Sequence, residues 1–69
     1  MTVEQFLVSY DGIYNITVEL RARNSSETLT ENIIVLLANK RERKFTEWLN
    51  VNVSLWTMDD KVLRLYVKK

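Results

Sequence analysis

Apolar and polar residues alternate from Tyr14 to Arg23, with Tyr14, Ile16, Val18, Leu20 and Ala22 on one side and Asn15, Thr17, Glu19, Arg21 and Arg23 on the other. A period of two is the signature of a strand with one buried face. Upstream, Val3 to Ser9 is rich in strand formers and is separated from that run by Tyr10-Asp11-Gly12, so the pattern predicts a hairpin. Its loop length follows from the pairs it would set. A two-residue Asp11-Gly12 loop places Glu4 opposite Glu19, like charges across the ladder. A three-residue loop instead puts Gly12 at a left-handed position and aligns Phe6 and Val8 with Tyr14, Ile16 and Val18, which is the expected arrangement.

Downstream, Thr28-Leu29-Thr30-Glu31 matches a capping box and predicts the start of a helix. Leu29, Ile33, Leu36 and Leu37 lie at helical spacing, and Lys40, Arg41, Arg43 and Lys44 fall toward the end, where cations complement the dipole. The β-branched run Ile33-Ile34-Val35 keeps a buried strand open as the alternative. The pattern does not decide whether the helix continues past Lys44, but Phe45 and Trp48 are expected in the core between helix and sheet. In the last third, Val51, Val53 and Leu55 alternate with polar positions and with Trp56. After Met58-Asp59-Asp60, Leu63, Leu65 and Val67 alternate with Val62, Arg64, Tyr66 and Lys68. A second hairpin with a three-residue loop of Met58, Asp59 and Asp60 would set Leu55 beside Leu63 and Val53 beside Leu65.

The expected architecture is one α+β domain over residues 1–69, of order ββαββ, in which a helix covers one face of a four-stranded antiparallel sheet made of two hairpins. Composition supports a folded chain: of 69 residues, 46% are hydrophobic and 28% charged, far from the profile of disorder. A domain this short hides only about 60% of its unfolded surface. It has no Cys or His for a disulfide or a structural zinc site, so self-association or partner binding is an expected source of added stability.

The same absences exclude thiolate nucleophiles, Ser-His pairs and haem ligation, and a lone Gly12 excludes a glycine-rich phosphate cradle. Asp59 and Asp60 read as turn residues rather than as a catalytic or metal-binding pair. No enzyme activity, cofactor, metal or small-molecule substrate is expected. The longest apolar run, Ile33 to Ala38, is much shorter than the roughly 20 residues of a membrane span. The N-terminal residues lack the features of a secretion signal, so a cytoplasmic location is expected. The three Asn-X-Ser/Thr patterns then carry little weight.

Two features bear on function. Residues 1–35 hold two basic and five acidic side chains, and residues 36–69 hold eight and four. Lys40, Arg41, Arg43 and Lys44, with Arg64, Lys68 and Lys69, therefore form a candidate phosphate-binding set for nucleic acid, and the competing reading is a solvated helix end. In the expected register Trp56 and Tyr66 lie beside Arg64 on the uncovered face. There they would either anchor a protein interface or stack on bases, unless they pack into a small local cluster of their own. The leading expectation is a small protein-interaction module that uses exposed sheet surface or a sheet edge, with Trp56, Arg64 and Tyr66 at the contact. Its partner would be another protein or a second copy of the chain. A nucleic-acid binder is the alternative. A small phage or mobile-element regulator, or a subunit of a larger assembly, would share these properties.

Overall fold

In the computed structural model, which describes residues 1–9 and 15–69, the chain opens on a helix, α1 (Val3–Ser9). The expected first strand is thus corrected. Thr2 Oγ1 accepts from the Gln5 N–H at 3.2 Å, and Gln5 Oε1 accepts from the Thr2 N–H at 2.9 Å. This reciprocal pair is a capping box, placed where Thr-X-X-Gln stands in the sequence. Val3 and Leu7, one helical turn apart, are buried, and this spacing outweighs the strand propensity of the segment. The expected Tyr10-Asp11-Gly12 loop and Tyr14 lie outside the described residues. Replacing Thr2 with Ala is expected to cost about 1 kcal/mol, read as a lower urea midpoint with an unchanged slope.

The alternating run forms β1 (Thr17–Ala22), with Val18, Leu20 and Ala22 buried as the pattern predicts. Its hairpin partner is β2 (Thr28–Asn32), which pairs antiparallel from Thr17↔Asn32 to Arg21↔Thr28. The capping-box reading of Thr28 to Glu31 is therefore corrected: those residues are strand, and the helix starts later. Asn32 caps it, its Oδ1 accepting from the Ile34 N–H at 2.8 Å. That helix, α2 (Ile33–Ala38), buries Ile33 and Leu36 and stops at Asn39, whose side-chain amide donates to the Val35 carbonyl. A third short helix, α3 (Arg43–Leu49), buries Phe45, Trp48 and Leu49, so the two aromatics expected in the core are there.

The last two strands, β3 (Val53–Asp59) and β4 (Val62–Val67), form the second hairpin with a register unlike the expected one. Asp59 pairs with Val62 across a two-residue Asp60-Lys61 turn, and Asp60 takes φ 55°, a left-handed value that Asp tolerates better than most residues. The shift pairs Met58 with Leu63, Trp56 with Leu65 and Leu55 with Tyr66. Because side chains alternate, an odd shift in register moves every residue of β3 to the other face. A bulge between Val53 and Leu55 restores Val53 to the core side opposite Val67, and the Ser54 hydroxyl pins it by donating to the Tyr66 carbonyl at 3.1 Å.

The sheet order is β2-β1-β4-β3, and the central pair β1 and β4 runs parallel. The all-antiparallel sheet is accordingly corrected to a mixed one, and the single helix to three among the described residues. The α+β class and the two layers stand. Residues of all three helices join Val18, Leu20, Leu63, Leu65 and Val67 in one buried cluster, so the helices share one face of the sheet. A short molecular dimension of 19 Å fits one sheet plus one helix layer. Among the described residues, the other face of the sheet carries no helix.

Candidate functional site

The uncovered face is built from the outward positions of β1 and β4. Glu19 stands in register with Arg64, and Arg21 with Tyr66. One carboxylate serves two guanidinium groups: Arg21 Nε donates to Glu19 Oε1, and Arg64 Nε donates to Glu19 Oε2 at 3.1 Å. The hydrogen bond from Arg21 is the main cause holding the Glu19 carboxyl below its ordinary value of 4.5, and Arg64 adds to it against a raising effect of burial. Because the folded state binds the proton less readily, this stabilisation is complete above pH 4.5 and is lost as pH falls through the lowered value. Glu19→Gln is expected to flatten the acid limb of stability against pH. A wild-type acid limb retained in that variant would assign the loss to other carboxylates.

β3 lies at one edge of the sheet, with Leu55 56% exposed, Trp56 48% and Met58 38%. Leu55 and Thr57 stand on the uncovered face beside Tyr66 and Arg64, while Trp56 and Met58 stand on the helix side beside Leu65 and Leu63. Trp56 meets Phe6 of α1 there, with ring centroids 5.6 Å apart and planes tilted by 59°. The three residues expected to act together are thereby divided: Arg64 and Tyr66 share the open face, and Trp56 is on the other side. The expectation that both rings look out from one face fails because the turn has two residues rather than three.

Among the described residues, the backbone of this edge is only partly occupied. At its start, the Val53 N–H donates to the Met1 carbonyl at 2.9 Å, and the Val3 N–H donates to the Val51 carbonyl at 3.0 Å. The N-terminal residues therefore cover the edge as far as Val53. Beyond the bulge, alternation counted from the Asp59↔Val62 pair turns the backbone groups of Leu55, Thr57 and Asp59 toward β4 and those of Trp56 and Met58 outward. The opposite edge, β2, has the sequence Thr-Leu-Thr-Glu-Asn, with Thr28 and Thr30 exposed. One edge is polar and short, and the other is apolar.

The basic residues fall into separate groups. Lys40 and Arg41 lie between α2 and α3, and Arg43 and Lys44 open α3. Arg43 and Lys44 therefore sit at a helix start rather than at the helix end expected from the dipole argument, while Lys40 and Arg41 directly follow the end of α2. Lys40 Nζ is 3.6 Å from Glu4, and Lys44 Nζ is 3.8 Å from Glu42. Lys69 Nζ is 2.7 Å from Glu27 and 4.0 Å from the Trp48 ring centroid, which ties the C-terminus down. Arg64 is on the open face, and Lys68 follows β4, exposed.

No helix among the described residues is long and apolar enough to cross a membrane. Comparison with known families, curated proteins and solved structures finds no match.

Proposed function

We propose that this chain is a non-catalytic protein-interaction module that binds an extended segment of a partner protein by strand addition at β3. The supporting observation is the edge itself. From Val53 to Met58 it carries no charge and no proline, and three of its large apolar side chains are exposed. Stable proteins blunt such edges with charge, proline, shortness or a covering element, and β2 has five residues and carries Glu31. An added strand would gain main-chain hydrogen bonds at Trp56 and Met58. Side-chain contacts would come from Leu55 on one face and from Phe6, Trp56 and Met58 on the other.

Nucleic-acid binding has less support, because the basic side chains are divided between the α2–α3 corner and the sheet. Lys40, Lys44 and Lys69 are also engaged by carboxylates.

The test selects binders from a library of unstructured peptides about ten residues long and then follows amide exchange of the chain with a selected peptide bound. The expected result is slowed exchange at Trp56 and Met58, with binding lost in the Leu55→Lys/Met58→Lys variant. Protection confined to other elements, or binding that survives this variant, would overturn the reading. A single-stranded oligonucleotide retained at low salt and released steeply by added salt, with further weakening in an Arg41, Arg43 and Lys44 triple substitution, would replace it with the nucleic-acid reading.

A further inference from the structure

We infer that the segment fitting the β3 edge is β3 of a second copy, paired antiparallel about a twofold axis through Thr57. This rests on the strand-addition reading and names its partner. The argument is one of register. Outward backbone groups on β3 belong to Trp56 and Met58, so two copies exchange hydrogen bonds best when Trp56 of each faces Met58 of the other. That arrangement centres on Thr57 and forms two such pairs.

Shifting the axis to Trp56 would bring the mate's Asp59 opposite Val53, whose N–H is already held by Met1. The N-terminal residues therefore bar that register. With the axis at Thr57, the mate's chain turns away at Asp60 before it reaches the occupied stretch.

The side chains agree with the same register. Trp56 and Met58 stand on the helix side of β3, so each indole meets a thioether, a favourable contact for both. Thr57 faces Thr57 on the open side. No like charges stand opposite one another, since Asp59 of each copy faces Leu55 of the other and the two Asp59 positions are about 14 Å apart along the edge, beyond the screening length of about 8 Å.

A twofold axis perpendicular to the sheet keeps the helices of both copies on one side. The two-layer architecture then continues across the junction as one eight-stranded sheet, and the half-covered Phe6 and Trp56 rings lie at the seam, where burial is still to be gained. The partner fits a small core whose sequence has no Cys or His from which to build a disulfide or a structural zinc site.

The experiment uses the chain's lack of cysteine. Facing residues of a non-hydrogen-bonded antiparallel pair have Cα atoms about 4.5 Å apart, within disulfide reach. The Thr57→Cys variant is therefore expected to form a covalent dimer under mild oxidation, while Thr30→Cys, on the β2 edge, stays monomeric. Sedimentation of the unmodified chain from about 1 μM to 1 mM, the range suited to a short interface, is expected to show a dimer. Thr57→Lys, which sets two ammonium groups opposite each other, is expected to weaken dimerisation at least tenfold and to lower the thermal midpoint of the monomer only by the small cost of a like charge beside Arg64.

A chain that stays monomeric at 1 mM overturns the inference, as does a dimer that cross-links through Thr30→Cys and not through Thr57→Cys. Peptide-induced protection at Trp56 and Met58 in a monomeric chain overturns only the second copy as partner. Its absence in a monomeric chain overturns strand addition as well.

Discussion

Leu65→Ala is expected to remove a large share of the domain's stability. Leu65 is fully buried at the middle of β4, in register with Leu20 on one side and Trp56 on the other. Truncating a buried leucine costs about 2 to 5 kcal/mol, combining lost transfer energy with a cavity the neighbours cannot fill. A domain of this length has roughly 3 to 10 kcal/mol in all, so the variant should be largely unfolded near 37 °C or close to it. Urea unfolding followed by tryptophan fluorescence measures the effect as a shifted midpoint. Leu55→Ala, in the same hairpin but 56% exposed, should stay within about 0.5 kcal/mol of the parent. A Leu65→Ala loss no larger than that of Leu55→Ala would contradict the placement of β4 at the centre of the sheet.

The second large effect concerns association. Trp56→Ala is expected to weaken binding at the β3 edge by about 2 kcal/mol or more, roughly 30-fold, as befits a tryptophan at the middle of an interface. Within the monomer the indole is half exposed and its aromatic partner is Phe6, so the cost to folding should be near 1 kcal/mol. The contrast between the two numbers is the test. Sedimentation and peptide titration read the first, and urea unfolding reads the second. An affinity that does not change while stability falls would mean that Trp56 serves only to cover Phe6.

Much of the core was readable from spacing alone. Ile16, Val18, Leu20 and Ala22 are buried as their alternation requires, and Leu63, Leu65 and Val67 follow the same rule. Phe45 and Trp48 were also placed correctly. Helix α1 was missed although its signal is present, since Thr2-Val3-Glu4-Gln5 fits the capping pattern as well as Thr28-Leu29-Thr30-Glu31 does. Of these two equivalent motifs, the one at Thr28 is overridden because its residues pair with β1, and local preference is worth less than the strand ladder that competes with it.

The candidate site was less readable. Trp56 was correctly singled out as exposed, but its face was wrong. A turn one residue shorter than expected moved Leu55 to the open side and Trp56 to the helix side, and a bulge at Ser54 returned Val53 to the core side. Neither feature leaves a strong mark in the pattern, because Asp60 can occupy a left-handed position in either turn. The Glu19 bridge between Arg21 and Arg64 was also missed, since Glu19 and Arg64 are 45 residues apart and meet only across a parallel pair.

By itself the sequence determined the α+β class and most of the residues that avoid water, because burial follows hydrophobicity and local period, whereas Val8 and Leu55, both expected on the core face, are exposed. The tertiary structure alone decided that β1 and β4 run side by side in parallel, that three helices share one face, and that the uncharged edge belongs to β3. Those outcomes depend on which strands become neighbours, and that is a competition among long-range pairings in which a shift of one residue exchanges the two faces of a strand.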